Sequence, residues 1–162
     1  MAKQKVDITA PMPSANAIVA TRGKDGFDNA LIVGYACNCS FDPPMIMVGI
    51  VPSRYSYKLI EENPHFVVHF AREDQRDAWQ YLGSNSGEDE DKLAKLGLEV
   101  RDGDEVNAPV ITDFPVAIEC EVVDSIETGS HVMYAGEIKA IHADEDLVND
   151  NGKLDMSLDT II

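Results

Sequence analysis

Two polar stretches carry residue types that can hold an anion, and they lie well apart in the chain. The first is Ser53-Arg54-Tyr55-Ser56, after Pro52 and ahead of the apolar pair Leu59 and Ile60. Ser53 or Ser56 suits a helix N-cap. A helix start offering hydroxyls, free N–H groups and a guanidinium is a place for an anion, most simply a phosphate. The same residues also suit an ordinary capped helix with a surface arginine. The second stretch is Gly83-Ser84-Asn85-Ser86-Gly87, followed by Lys92. Small residues let backbone N–H groups converge on one point, and Lys92 can add a charge. A plain surface loop has this composition too. In a strongly acidic chain, two such loops with Arg54 and Lys92 favour one shared phosphate site.

Other chemistries find less support. Cys37-x-Cys39 lacks the two-residue spacing and the second pair of a zinc site. His65 and His69 stand four apart in a strand pattern without acidic partners, so they read as core or surface histidines. The run Glu88-Asp89-Glu90-Asp91 reads as a solvated face and does not match a calcium loop. No metal is expected. There is no Gly-x-Ser-x-Gly elbow and no Gly-x-Gly-x-x-Gly nicotinamide fingerprint. No side chain is expected to act as catalytic acid, base or nucleophile.

The elements that must position these loops read as mostly strands. Ala15–Thr21 is a strand, Lys24-Asp25-Gly26 is a hairpin signal, and Asn29–Ala36 returns as the second strand with Gly34 marking a bulge or close approach. Pro43 and Pro44 mark a turn before Met45–Val51, an apolar run of strand length expected to be buried on both faces. The helix opened by Ser53 ends near Asn63-Pro64. His65–Ala71 is a strand, Arg72–Leu82 a short helix, and Asp91–Leu98 a helical turn that breaks at Gly97. Val116–Asp124 alternates, with Ala117, Glu119, Glu121 and Val123 on the wet face. It pairs as a hairpin with His131–Ala143, and Leu154–Ile162 is expected as one more strand. Sequential strands interrupted by helices favour a closed antiparallel barrel with helical insertions, in a single domain over residues 1–162.

Bulk properties narrow the partners. The chain is 44% hydrophobic and 26% charged, with a formal net charge of −16. That charge repels nucleic acid and anionic membranes. It suits docking with a basic partner, and equally plain solubility. No run of about 18 apolar residues marks a membrane span, and the N-terminus lacks the apolar core of a secretory signal. Cys37, Cys39 and Cys120 make an odd count, which points to a reducing, cytoplasmic setting.

From Pro13 to His142 the chain resembles the flavin reductase-like proteins of the FMN-binding split barrel, of the flavoredoxin and ferric reductase type. The resemblance is carried by SFDPPMIMVGI, RYSYKLIEENPHFVVHF, GSNSGEDEDKLAKLGL, APVI, IECEVVDSIETGSHV and GEIKAIH, in that order. It implies a mainly β fold with short helices, a closed antiparallel split barrel, usually a homodimer with FMN near the subunit interface. By position, it places Asn29 and Tyr35 beside the isoalloxazine ring. It lays the backbone of Ala36, Cys37, Asn38, Cys39 and Ser40 along the ring's polar edge. Ser53, Arg54 and Ser56 would hold the phosphate, Ser86 and Lys92 would contribute from the second loop, and His131 would lie beside the flavin. The family often continues into an aromatic-containing C-terminal helix, so a shortened C-terminal element is expected here. The activity implied is that of an FMN-dependent oxidoreductase or electron-transfer protein. It would take electrons from NAD(P)H or a redox protein and pass them to a flavin, a ferric complex or a protein. A non-catalytic FMN store or sensor and a structural dimer module are the alternatives.

Overall fold

The computed structural model describes residues 1–158 and 161–162, with Leu158 described by its backbone alone. The chain enters the sheet at β1 (Ala17–Arg22), turns at Gly26 and returns along β2 (Asp28–Val33). Gly26 takes a φ of +86°, which a side-chain-bearing residue adopts only under strain. Asp25 Oδ1 accepts the Phe27 N–H and braces the same turn. The expected strand Asn29–Ala36 is in fact two. It breaks at Gly34-Tyr35, and β3 (Ala36–Phe41) leaves β2 to pair with β4 (Pro44–Ile50) through a bulge between Asn38 and Ser40.

Helix α1 (Tyr55–Glu62) follows, then β5 (His65–Phe70). The expected helix over Arg72–Leu82 starts as a 3-10 turn (Glu73–Gln75) and becomes α2 (Arg76–Ser84). The reason is local: the Gln75 side chain accepts the Arg72 N–H and tightens the entry. Helix α3 (Lys92–Leu96) is capped by Asp91 and stopped by Gly97 at a φ of +66°. A small ladder, β6 (Val100–Asp102) with β7 (Pro109–Ile111), precedes the long hairpin of β8 (Val116–Thr128) and β9 (His131–Ala143).

The main sheet is seven-stranded in the order β2-β1-β5-β8-β9-β4-β3, with every pairing antiparallel. Among the described residues β2 and β3 are its two ends. Both faces are covered around β1, β5 and the start of β8. Along β1, Ala17 and Val19 join one apolar cluster while Ile18 and Ala20 join another. The second cluster takes in Leu82 of α2, Leu93 of α3 and Ile111 of β7, so the helices and the small ladder form the cover on that face.

Two strand expectations are overturned. Ala117 and Glu119, read as facing water, are buried. Glu119 is fully enclosed because the loop before β7 folds over it. Met45 and Met47 in β4 are only half-buried, so that strand is enclosed on both faces in its second half alone. The tail is not a strand over 154–162 either: it makes single bridges at Leu154 and Ile161, and residues 159 and 160 lie outside the described residues. No helix among the described residues is long and apolar enough to cross a membrane.

Candidate functional site

The two polar stretches meet. A cavity of about 310 Å³ is lined by Ser53, Arg54, Tyr55 and Ser56 on one side and by residues 83–87 with Lys92 on the other, over a floor of Asn29, Leu31 and Ile32. Helix α1 aims its N-terminus here, and its cap position is Arg54, with no side-chain cap. Neither Ser53 nor Ser56 caps it, contrary to expectation. Ser56 is buried and its hydroxyl instead accepts from Asn29 Nδ2 at 2.9 Å. The Tyr57 N–H donates to Arg54 O at 3.0 Å, and the other first-turn N–H groups, with no side-chain cap, are left to the cavity.

Arg54 is the unspent charge. Arg22, Arg72, Arg76 and Arg101 each hold an aspartate or glutamate. Arg54 is exposed and has no carboxylate partner among the described residues. In a chain of 29 acidic and 13 basic residues, an arginine left alone is the exception.

Lys92 is different. Its side chain is buried, and its ammonium donates to three backbone carbonyls: Ala30 O at 2.6 Å, Leu82 O at 2.8 Å and Asn85 O at 3.0 Å. Burial lowers its pKa to about 8, against a smaller upward pull from Glu90. These bonds tie β2 to the end of α2 and fix the shape of the loop that follows. Within that loop Gly87 is buried, and a Cβ there would lie 2.3 Å from Asn29 Oδ1. Glycine is required for this close approach. Asp89 and Glu90 also line the cavity. Lys95 holds Glu90 at 2.6 Å and keeps its carboxyl below the usual range, so its charge is already answered.

The remaining residues implied by the resemblance lie elsewhere. Tyr35 and His131 form a pair with ring centroids 4.6 Å apart and planes tilted by 48°, and Tyr35 is 46% exposed. His131 Nδ1 is 2.8 Å from Ser130 Oγ. Ala36, Cys37 and Asn38 line a second, larger cavity that shares no residue with the first. Cys39 is exposed and Ser40 half-buried on the same strand, and neither lines either cavity. The second cavity had no sequence signal, because its walls are ordinary strand residues that face one another only in the fold.

One further polar cluster is structural. Glu119 accepts from the backbone N–H groups of Asp104, Glu105 and Val106, and His142 Nε2 is 2.7 Å from it. Burial works to raise its pKa, but the backbone donors of Asp104 and Glu105 prevail and hold it below the usual range. Asp104 completes a carboxylate–imidazole trio whose ligand atoms lie within 4.8 Å. The lone pairs of Glu119 are occupied by those donors, so the trio anchors the loop to β8.

An antiparallel β protein with a polar cavity at a helix N-terminus is the class that fold and site define. The chain matches the model of the flavin reductase like domain over residues 9–156, and it belongs to that family. Flavoredoxin of Desulfovibrio vulgaris (Miyazaki F) superposes with a TM-score of 0.87 at 32% identity, covering 97% of this chain and 84% of flavoredoxin. A protein of Aeropyrum pernix is 32% identical over 80% of this chain, which spans 49% of that protein's length. An NADH:riboflavin 5'-phosphate oxidoreductase of Streptomyces pristinaespiralis is 25% identical over 80% of this chain and 71% of its own length. The chain thus spans about half the length of the first of these curated relatives.

Proposed function

We propose that the chain binds FMN, with the phosphate in the polar cavity, and works as an oxidoreductase or electron-transfer flavoprotein. The observation that carries this reading is the convergence of the uncapped α1 start and the 83–87 loop around an arginine with no carboxylate partner. Membership of the flavin reductase-like family supports the flavin, and the activity in the name of the Streptomyces relative supports riboflavin 5'-phosphate as its form.

In this reading each residue has a physical task. Arg54 supplies the positive charge for the phosphate, and Ser53 and the first-turn N–H groups supply donors. Asn29 holds the Ser56 hydroxyl at the floor of the cavity. Lys92 works as a strut that shapes the second loop, where Ser86 offers its hydroxyl. Tyr35 and His131 flank the ring, and the backbone from Ala36 to Ser40 runs along its polar edge. A bound flavin supplies the redox chemistry itself, passing electrons one or two at a time.

The donor is NAD(P)H or a redox protein, and the acceptor a flavin, a ferric complex or a protein. The barrel is closed across β2 and β3, the chain pairs as a homodimer, and its free thiols suit the cytoplasm. The test is the absorbance spectrum of the purified protein, before and after FMN, then with NADH or NADPH. A flavin spectrum that bleaches with a pyridine nucleotide is expected. FMN binding without bleaching by any donor would make the protein a store. Failure to saturate at micromolar FMN would end the reading.

A further inference from the structure

The larger cavity has about 880 Å³, within the range of small-molecule sites. Ala15 and Ala17 leave the space open, and Val68, Phe70 and Ile118 give it apolar walls. Its rim includes Lys153, whose side chain is exposed and has no carboxylate partner among the described residues. A free ammonium beside an apolar chamber, on a chain of net charge −16, is a local attraction for a single negative charge. We infer that this cavity binds a hydrophobic carboxylic acid, its body among the β-strand side chains and its carboxylate at Lys153. The cavity shares no residue with the polar cavity proposed for the FMN phosphate. It borders the β3 stretch Ala36–Asn38 proposed to run along the flavin ring, and the inference does not depend on FMN being bound.

The probe is octanoate, with octanol as its uncharged counterpart, titrated into the full chain by calorimetry. Octanoate should saturate one site per chain with a Kd below roughly 1 mM, given the affinity a ligand of its size can reach. Lys153→Glu should weaken octanoate about tenfold and leave octanol unchanged. Ile141→Trp, at the half-exposed lining residue Ile141, should abolish both and leave FMN affinity alone. A second readout does not depend on those variants. In a Cys39→Ser protein, octanoate should slow alkylation of Cys37, which is exposed and lines the same cavity. No saturation, or equal binding by wild type and both variants, overturns the inference. So does an Ile141→Trp protein that changes oligomeric state, because the occupant is then a second copy of the chain.

Discussion

The two banks of the polar cavity are built from similar residue types and do opposite work. On the bank of residues 83–92, the strong donor is spent: Lys92 gives its hydrogen bonds to Ala30, Leu82 and Asn85. On the α1 bank the donors are unspent, since the helix lacks a side-chain cap and Arg54 has no carboxylate partner among the described residues. The first bank fixes a shape and the second offers a charge. A basic residue beside an anion site is therefore not by itself a ligand; what decides is whether its protons are already placed.

The sharpest way to break this contrast is Lys92→Met. Removing the ammonium leaves three carbonyls without that partner, two of them in buried bonds, and each unsatisfied buried group costs about 1–3 kcal/mol. A stability loss of roughly 3–5 kcal/mol is expected in denaturant melts, in the range measured for breaking a buried charged contact. If the melt is unchanged while FMN affinity collapses, Lys92 is a ligand and the contrast is wrong. Arg54→Met should do the reverse. It should lower FMN affinity by roughly 1.5–3 kcal/mol, the worth of a charged hydrogen bond, and leave the melt in place. Wild-type affinity should also fall as salt rises, more steeply than that of the variant.

Much of the frame was legible because its signals are local. The turn at Gly26, the stop at Gly97 and the break at Asn63-Pro64 each depend on backbone rules that hold wherever the chain goes. The meeting of a polar helix start and a small-residue loop was legible as composition. What the sequence hid is set by partners distant along the chain. Strand β3 has exposed Cys37, Asn38 and Cys39, so it lacks an apolar rhythm and exists because β4 pairs with it. Glu119 sits in an alternation that reads as wet, and it is buried because the 104–106 backbone donates to it. Lys92 reads as a charge for the anion loop, and its role as a strut is hidden for the same reason: its three acceptors come from β2, α2 and the residue after α2.

Gly87→Ala tests the shaped bank without removing a charge. A Cβ would fall 2.3 Å from Asn29 Oδ1, so Asn29 must move, and Asn29 holds Ser56. Overpacking of this kind costs about 1–3 kcal/mol. The strain crosses the cavity floor, so FMN affinity should fall as well. A variant with a wild-type melt and wild-type affinity would mean that the loop adapts, and that the bank is less rigid than the Lys92 bonds imply.

A pH effect separates the frame from the cavity altogether. His69 is fully buried away from the polar cavity, and burial lowers its pKa to about 3 from an ordinary 6.5. Its Nε2 accepts the Ile111 N–H at 3.0 Å, so a proton there would set two donors against each other. The folded-state pKa lies below the unfolded one. The stabilisation is therefore complete above about pH 6.5 and is lost as pH falls toward 3. The loss should approach 1.4 kcal/mol for each pH unit below 6.5. His69→Gln keeps an acceptor and removes the titration. Wild type should lose stability faster than this variant between pH 6.5 and 5, read by denaturant melts at each pH. Parallel losses would mean that His69 can be protonated in place, and that acid weakens the fold through its carboxylates alone.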